Sequence, residues 1–320
     1  MKKKKIFMKS TLLIAASTLI LFTSCSKDDD APAATNTITD IVVAGAGFIT
    51  LESAVLKANL QATLSGTGPF TVFAPDDAAF NASGITTATI NSLTPAQVQN
   101  ILLYHTIGSK IVAADVPVGP NAKVITASGD SVFVTKNSTG VYVNGIKVIT
   151  ADVAADNGVI HTIGKVLIPA VGNIVQTATA SGLDSLVKAV TRATTATGGD
   201  PSLATTLGSA KLTVFAPTNA AFTQLLAALS LSKIDDIPIA TLLAVLRYHA
   251  VGGRAFSSDL PNGNLAMLAG GNTVINLTNG VSGGPTITGN GNGGNKSNII
   301  ATNIVCRNGV VHLVDRVLIP

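Results

Sequence analysis

One block of ten residues occurs twice in this chain. The stretch from Thr71 to Phe80 (TVFAPDDAAF) returns from Thr213 to Phe222 as TVFAPTNAAF. The pair Tyr104-His105 returns as Tyr248-His249. The stretch from Asn157 to Pro169 (NGVIHTIGKVLIP) returns from Asn308 to Pro320 as NGVVHLVDRVLIP. The blocks keep their order, and the distance between copies grows along the chain. That is the mark of a duplicated unit with small insertions in the second copy, at residues 194–201 and 280–295. Solenoid repeats run to roughly 20–50 residues. These units exceed a hundred and are long enough to enclose a core each. The reading divides the chain into a targeting segment (1–24), a linker (25–35) and two domains, 36–169 and 170–320.

Local signals place elements inside each unit. A helix is expected from Leu51 to Ala58 and again from Leu183 to Arg192. Phe70 to Phe73 reads as a short strand, β-branched and aromatic. Pro75 or Pro217 ends it, and Asp76 or Thr218 caps the short helix that follows. Thr94, Pro95 and Gln97 form a capping box with proline at the first helical position. Val98, Ile101, Leu102 and His105 then lie on one stripe, as do Leu242, Val245, Leu246 and His249, so both histidines face inward. The last third alternates like antiparallel strands: 131–135, 141–143, 147–149, 159–163 and 166–168. Asn157-Gly158 and Asn308-Gly309 look like turns that tolerate positive φ. Helices early and strands late give an α+β unit rather than alternating βαβ.

The three blocks together resemble the fasciclin domain, over nearly all the chain beyond residue 36. Gly164 departs from the family pattern, which has Asp there, as copy two does at Asp315; copy one loses a turn-stabilising hydrogen bond. The resemblance implies two tandem domains, each a β-sandwich-like core with several helices. It also implies a secreted or surface-attached protein that mediates adhesion or matrix binding without enzymatic activity. Extracellular matrix, a glycan or a surface protein are then the expected partners.

The N-terminus agrees with export. A basic stretch to Lys9, an apolar run from Leu12 to Phe22 and the small residues Thr23 and Ser24 make a secretory signal. The run is too short to span a bilayer, which needs about 20 residues. The stretch from Leu21 to Cys25 resembles a bacterial lipobox, so Cys25 is the expected lipid attachment site, with Leu21 one position early. The acidic residues after it resemble signals that send lipoproteins to the outer surface of Gram-negative bacteria. The formal charge of +4 belongs to this segment: removing the five lysines of residues 1–24 leaves 16 basic against 17 acidic residues. With no run of basic residues left in the sequence, nucleic acid is not an expected partner. With 47% hydrophobic and 12% charged residues, the chain is also too apolar to be disordered.

Chemistry is scarce. All four histidines, His105, His161, His249 and His312, fall in the repeated blocks and read as structural groups bonded to backbone. The rival reading, two histidines holding a metal in each copy, lacks the close ligand spacing usual for zinc. No metal and no cofactor are expected. Cys306, with Cys25 acylated, has no partner and reads as a small core residue; His312 is its one candidate activator. Tyr104 and Tyr248, on the side away from the inward histidine, are the candidate ligand-binding residues; the alternative is that each packs and satisfies its hydroxyl locally. Residues 280–284 match the nucleophile-elbow formula around Ser282, and 289–297 resemble a P-loop. Neither has the strand-turn-helix setting its chemistry needs, so both are read as accidents of a mobile, low-complexity loop. The expected function is a lipid-tethered adhesion or binding module at the cell surface. The alternative is a carrier of a small apolar ligand.

Overall fold

Asp76 and Thr218 fix where the chain turns from strand to helix. Each follows a strand that ends in proline, and each side chain accepts a hydrogen bond from the backbone of the third residue on: Ala79 N–H at 2.7 Å and Ala221 N–H at 3.2 Å. The computed structural model describes residues 36–320, which form one compact unit. The signal at 1–24, Cys25 and the linker to residue 35 lie outside the described residues.

Copy one runs through α1 (Ile38–Ala44), α2 (Ile49–Lys57), α3 (Gln61–Leu64), β1 (Phe70–Pro75), α4 (Asp77–Ala82), α5 (Thr87–Ser92) and α6 (Pro95–Tyr104). The strands β2 (Thr106–Ile107), β3 (Gly119–Ile125), β4 (Ser131–Asn137), β5 (Gly140–Val143), β6 (Ile146–Ala155) and β7 (Gly158–Ile163) follow. Copy two has α7 (Ile174–Ala180), α8 (Asp184–Thr195), α9 (Pro201–Ser209), β8 (Leu212–Pro217), α10 (Asn219–Ala228) and α11 (Ile239–Tyr248). It ends with β9 (Ala250–Gly252), β10 (Gly263–Ala266), β11 (Asn272–Asn276), β12 (Thr286–Thr288), β13 (Ser297–Cys306) and β14 (Gly309–Val314). The sheet orders are β2-β1-β7-β6-β5-β4-β3 and β9-β8-β14-β13-β12-β11-β10, one topology used twice. The fold is α+β.

Pairing explains the most apolar segments. In each copy the first strand lies parallel to the last, β1 beside β7 and β8 beside β14, while every other pairing is antiparallel. The parallel pair is covered on both faces, as such strands usually are, so β7 and β8 are buried throughout. Val72, Ala74 and Ile160 face one core with the helices; Phe73 and Ile163 face a second, with Val132, Val134 and Val143 from the far strands. Copy two divides its side chains the same way between Val214 and Phe215. The sheet folds over its own core because β6 and β13, ten residues each, carry register shifts, with Asp152 and Asn303 at positive φ. Such bulges bend a strand and raise its twist.

Three expectations change, and one insertion takes on a shape. Residues 166–168 are not a strand; Val166 packs in the helical core and Leu167 in the second core. Residues 280–295 are not a bare loop: β12 lies within them, paired on both sides, with Ile287 fully buried. The 194–201 insertion extends helical structure, α8 ending at Thr195 and α9 starting at Pro201. Lastly, Gly158 and Gly309 do not have positive φ. Each is needed for close approach instead, because a Cβ would stand 2.1 Å from Phe70 O or 2.0 Å from Leu212 O.

Candidate functional site

The repeated blocks meet in one hydrogen-bonded arrangement, built twice. His105 caps α6; its Nδ1–H donates to Ile101 O at 2.8 Å, and Leu167 N–H donates to its Nε2 at 2.9 Å. His249 does the same on α11, with Val245 O at 2.7 Å and Leu318 N–H at 2.9 Å. A carbonyl only accepts and an amide only donates, so each ring is neutral and protonated on Nδ1. His161 and His312 take the other tautomer. Their Nε2–H groups donate to Ile111 O (2.8 Å) and Ala255 O (3.0 Å), and the bulge amides of Asp152 (3.2 Å) and Asn303 (3.4 Å) donate to Nδ1. Burial strips water from the charged form and lowers His105, His249 and His312 to about 4.

The neighbouring block residues finish the arrangement. Thr71 and Thr213 donate to Ser109 O and Gly253 O and accept from Ile111 N–H and Ala255 N–H, so each hydroxyl pins the loop that its histidine also holds. Asn157 donates to Leu64 O and Gly66 O and accepts from Ile38 N–H. Asn308 repeats this with Leu207 O, Ala210 O and Ile174 N–H. These asparagines staple the first helix to the last hairpin.

Tyr104 and Tyr248, expected on a partly exposed side, are 1% exposed. The helix ends between tyrosine and histidine, so both neighbours turn inward, the tyrosine toward the folded sheet. Tyr104 OH donates to Ser131 O and accepts from Asn144 Nδ2. Tyr248 OH donates to Asn272 O and accepts from Asn290 N–H. Neither can anchor a ligand in this conformation. Cys306 is buried beside the helical core of copy two, and burial pushes its thiol up. His312 spends both ring nitrogens elsewhere. Among the described residues no group of three His, Cys, Asp or Glu could hold a metal ion. Ser282 sits exposed in a single 3-10 turn at φ +54°, without the strand-turn-helix setting of a nucleophile.

Two clefts lie between the copies. One cleft of about 700 Å³ has Lys147, Gly164, Lys165 and Ile168 from copy one against Val171, Asn303 and Ile304 from copy two. Gly164, where copy two has Asp315, leaves it without a carboxylate at that corner. Its wall is tied by Asn303 Nδ2, which donates to Gly145 O at 3.2 Å and to Ser257 Oγ at 2.8 Å. A second cleft, of about 430 Å³, lies around Arg254. Neither could be found in the sequence, because each is assembled from residues more than a hundred positions apart. The burial of His105 and His249, by contrast, followed from helical spacing.

Compared with family models, the chain matches the Fasciclin domain twice, at residues 46–169 and 185–320. It is 41% identical over 144 residues to Protein sll1483 of Synechocystis sp., covering 43% of this chain and 77% of that one. It is 30% identical over 266 residues to human periostin, covering 82% of this chain and 29% of that protein. Pig transforming growth factor-beta-induced protein ig-h3 is 34% identical over 133 residues, 42% of this chain and 19% of its own length. The chain thus spans under a third of either animal relative. A FAS1 domain pair from the insect cell adhesion molecule fasciclin I aligns at 18% identity and a TM-score of 0.40, covering 88% of this chain and 96% of that one.

Proposed function

Because the chain belongs to the fasciclin-domain family, we propose that it is a non-catalytic adhesion and binding module, held at the cell surface by a lipid on Cys25. The observation that carries this reading is how the repeated blocks spend their polar groups. All four imidazoles, the hydroxyls of Thr71 and Thr213 and both tyrosine hydroxyls are committed to internal hydrogen bonds. None of these imidazoles and hydroxyls is left free to attack or to exchange a proton with a substrate. The repeated chemistry of each copy holds a scaffold, and binding falls to surfaces that the scaffold presents, an arrangement common in domains whose loops carry the function.

No helix among the described residues is long and apolar enough to cross a membrane. We assign the tether to Cys25 on the lipobox-like stretch Leu21 to Cys25, in an outer-membrane lipoprotein with both domains outside the cell. Durable anchoring needs more than one acyl chain, each buried methylene contributing about 0.8 kcal/mol. One experiment addresses tether and adhesion together. Cells expressing the full chain should attach to surfaces coated with matrix protein or glycan, and Cys25→Ser should release the protein from the membrane fraction and abolish attachment. Membrane retention of Cys25→Ser would remove the tether, and failure of the unaltered chain to attach to any coating would remove adhesion.

A second reading, a carrier of a small apolar ligand, is favoured by the larger cleft. Its volume lies in the range of about 300–1,000 Å³ that suits such ligands, and Ile168 and Val171 stand at least half exposed beside it. Apolar material co-purifying with the chain is the result expected of a carrier.

A further inference from the structure

The smaller cleft between the copies is set apart by its charge. At about 430 Å³ it is large enough for a small ligand or a short stretch of a polymer. Lys123 comes from copy one, and Lys211, Arg254 and Arg307 come from copy two; Asp130 is the one acid on its lining. Residues 36–320 hold 15 Lys and Arg against 14 Asp and Glu. A ratio of four to one in a nearly neutral body is a concentration, not a reflection of composition. Among the described residues none of these four cations forms an ion pair; the pairs join Lys188, Arg192, Lys233 and Arg247 to aspartates elsewhere.

Arg254 is the fixed member of the group. Its Nη1 donates to Cys306 O at 3.1 Å and Gly309 O at 2.7 Å, and its Nη2 donates to Arg307 O at 3.1 Å. The guanidinium stands 4.0 Å over the ring of Phe133. All of these partners are neutral, so its position is set while its charge is left uncompensated, and two of its five N–H groups remain. Its own carbonyl accepts from Asn121 Nδ2 at 2.6 Å, which ties the cationic wall to copy one. Asn121 Oδ1, beside the same cleft, is a buried acceptor with no donor.

We propose that this cleft binds a sulfated saccharide. The inference rests on the binding-module reading and gives it a place and a charge. A single-stranded nucleic acid would need open aromatic faces for its bases. Phe133 is covered by Arg254 and faces Phe256 at 6.1 Å, and Tyr104 is buried. The cleft instead offers cations with a small polar group, the Ser131 hydroxyl. That combination matches sulfate esters on a ring rich in hydroxyls. Exposed cations attract such a ligand from a distance, and salt screens the attraction within a Debye length of about 10 Å at 0.1 M.

The test is titration of the full chain with a heparin-derived tetrasaccharide, its desulfated counterpart and inositol hexakisphosphate. The sulfated tetrasaccharide should bind, more weakly as salt rises, and the desulfated one should not. Replacing Lys211 and Arg307 together by glutamate should weaken binding roughly tenfold or more, since reversed rim charges act on attraction and salt dependence. Lys188→Glu, paired with Asp235 outside the cleft, should leave it unchanged. Equal binding by the unaltered chain and the double variant would overturn the proposal. So would binding of inositol hexakisphosphate without the tetrasaccharide. A chain that attaches to some matrix coating but ignores the tetrasaccharide defeats this inference alone; one that attaches to nothing defeats the adhesion reading as well.

Discussion

At the scale of single residues, the histidines tie stability to pH. His105, His249 and His312 are held near 4 in the folded protein, against about 6.5 for an unperturbed imidazole. Below pH 6.5 the unfolded chain takes up protons that the folded chain refuses. The stabilising contribution is therefore whole above pH 6.5 and is lost as pH falls toward 4, by up to about 1.4 kcal/mol per pH unit for each histidine. The urea midpoint should stay nearly level from pH 8 to 7 and drop steeply from 6.5 to 4.5. A level profile across the lower range would mean that the imidazoles are not excluded from water. The same burial explains why the tyrosines misled the sequence reading. Spacing places His105 on the inward stripe, and an ideal helix would then turn its neighbour away. The helix stops at Tyr104, however, and a second core behind the sheet receives the phenol ring; one-dimensional periodicity holds no sign of that second core.

At the scale of elements, Asp315 and Gly164 compare one turn with and without its carboxylate. Asp315 accepts from Asn298 N–H at 2.7 Å and from Asn298 Nδ2 at 2.6 Å, while its own N–H donates to Asn298 O. In copy one the backbone bond survives, Gly164 N–H to Lys147 O at 3.1 Å, and the carboxylate bonds do not. Asp315→Ala should cost about 1–3 kcal/mol by leaving two donors unmatched; chemical denaturation measures it, and a change near zero would show that water replaces the carboxylate. Elements carrying their own punctuation were legible: α6 begins where Thr94, Pro95 and Gln97 place it. Elements defined by a distant partner were not. Residues 166–168 alternate like a strand, yet the amide of Leu167 serves a histidine ring and no neighbouring strand. β12 is three residues in a stretch of glycine and asparagine, and only its pairing with β11 and β13 gives it shape.

At the scale of the whole molecule, the copies meet through short polar contacts. Thr135 Oγ1 donates to Asp259 Oδ1 at 3.0 Å, Asn137 Nδ2 to Ser258 O at 3.3 Å and Asn303 Nδ2 to Gly145 O. Gly145 has φ +73°, and a Cβ there would come within 2.7 Å of the Asn303 side chain. Gly145→Ala should therefore loosen the junction, and calorimetry should resolve two unfolding transitions where the unaltered chain shows one. A single unchanged transition would mean that this contact does not couple the copies. The parallel pairing described for β1 and β7 also bears on how the chain is made. Phe70 sits beside Gly158, so the earliest strand of a copy has no central neighbour until the latest has emerged, and contacts so far apart in sequence slow closure. A ribosome or export channel delivering the polypeptide from its amino end holds each half incomplete until its final hairpin arrives. The leading half can then close while the trailing half is still in transit.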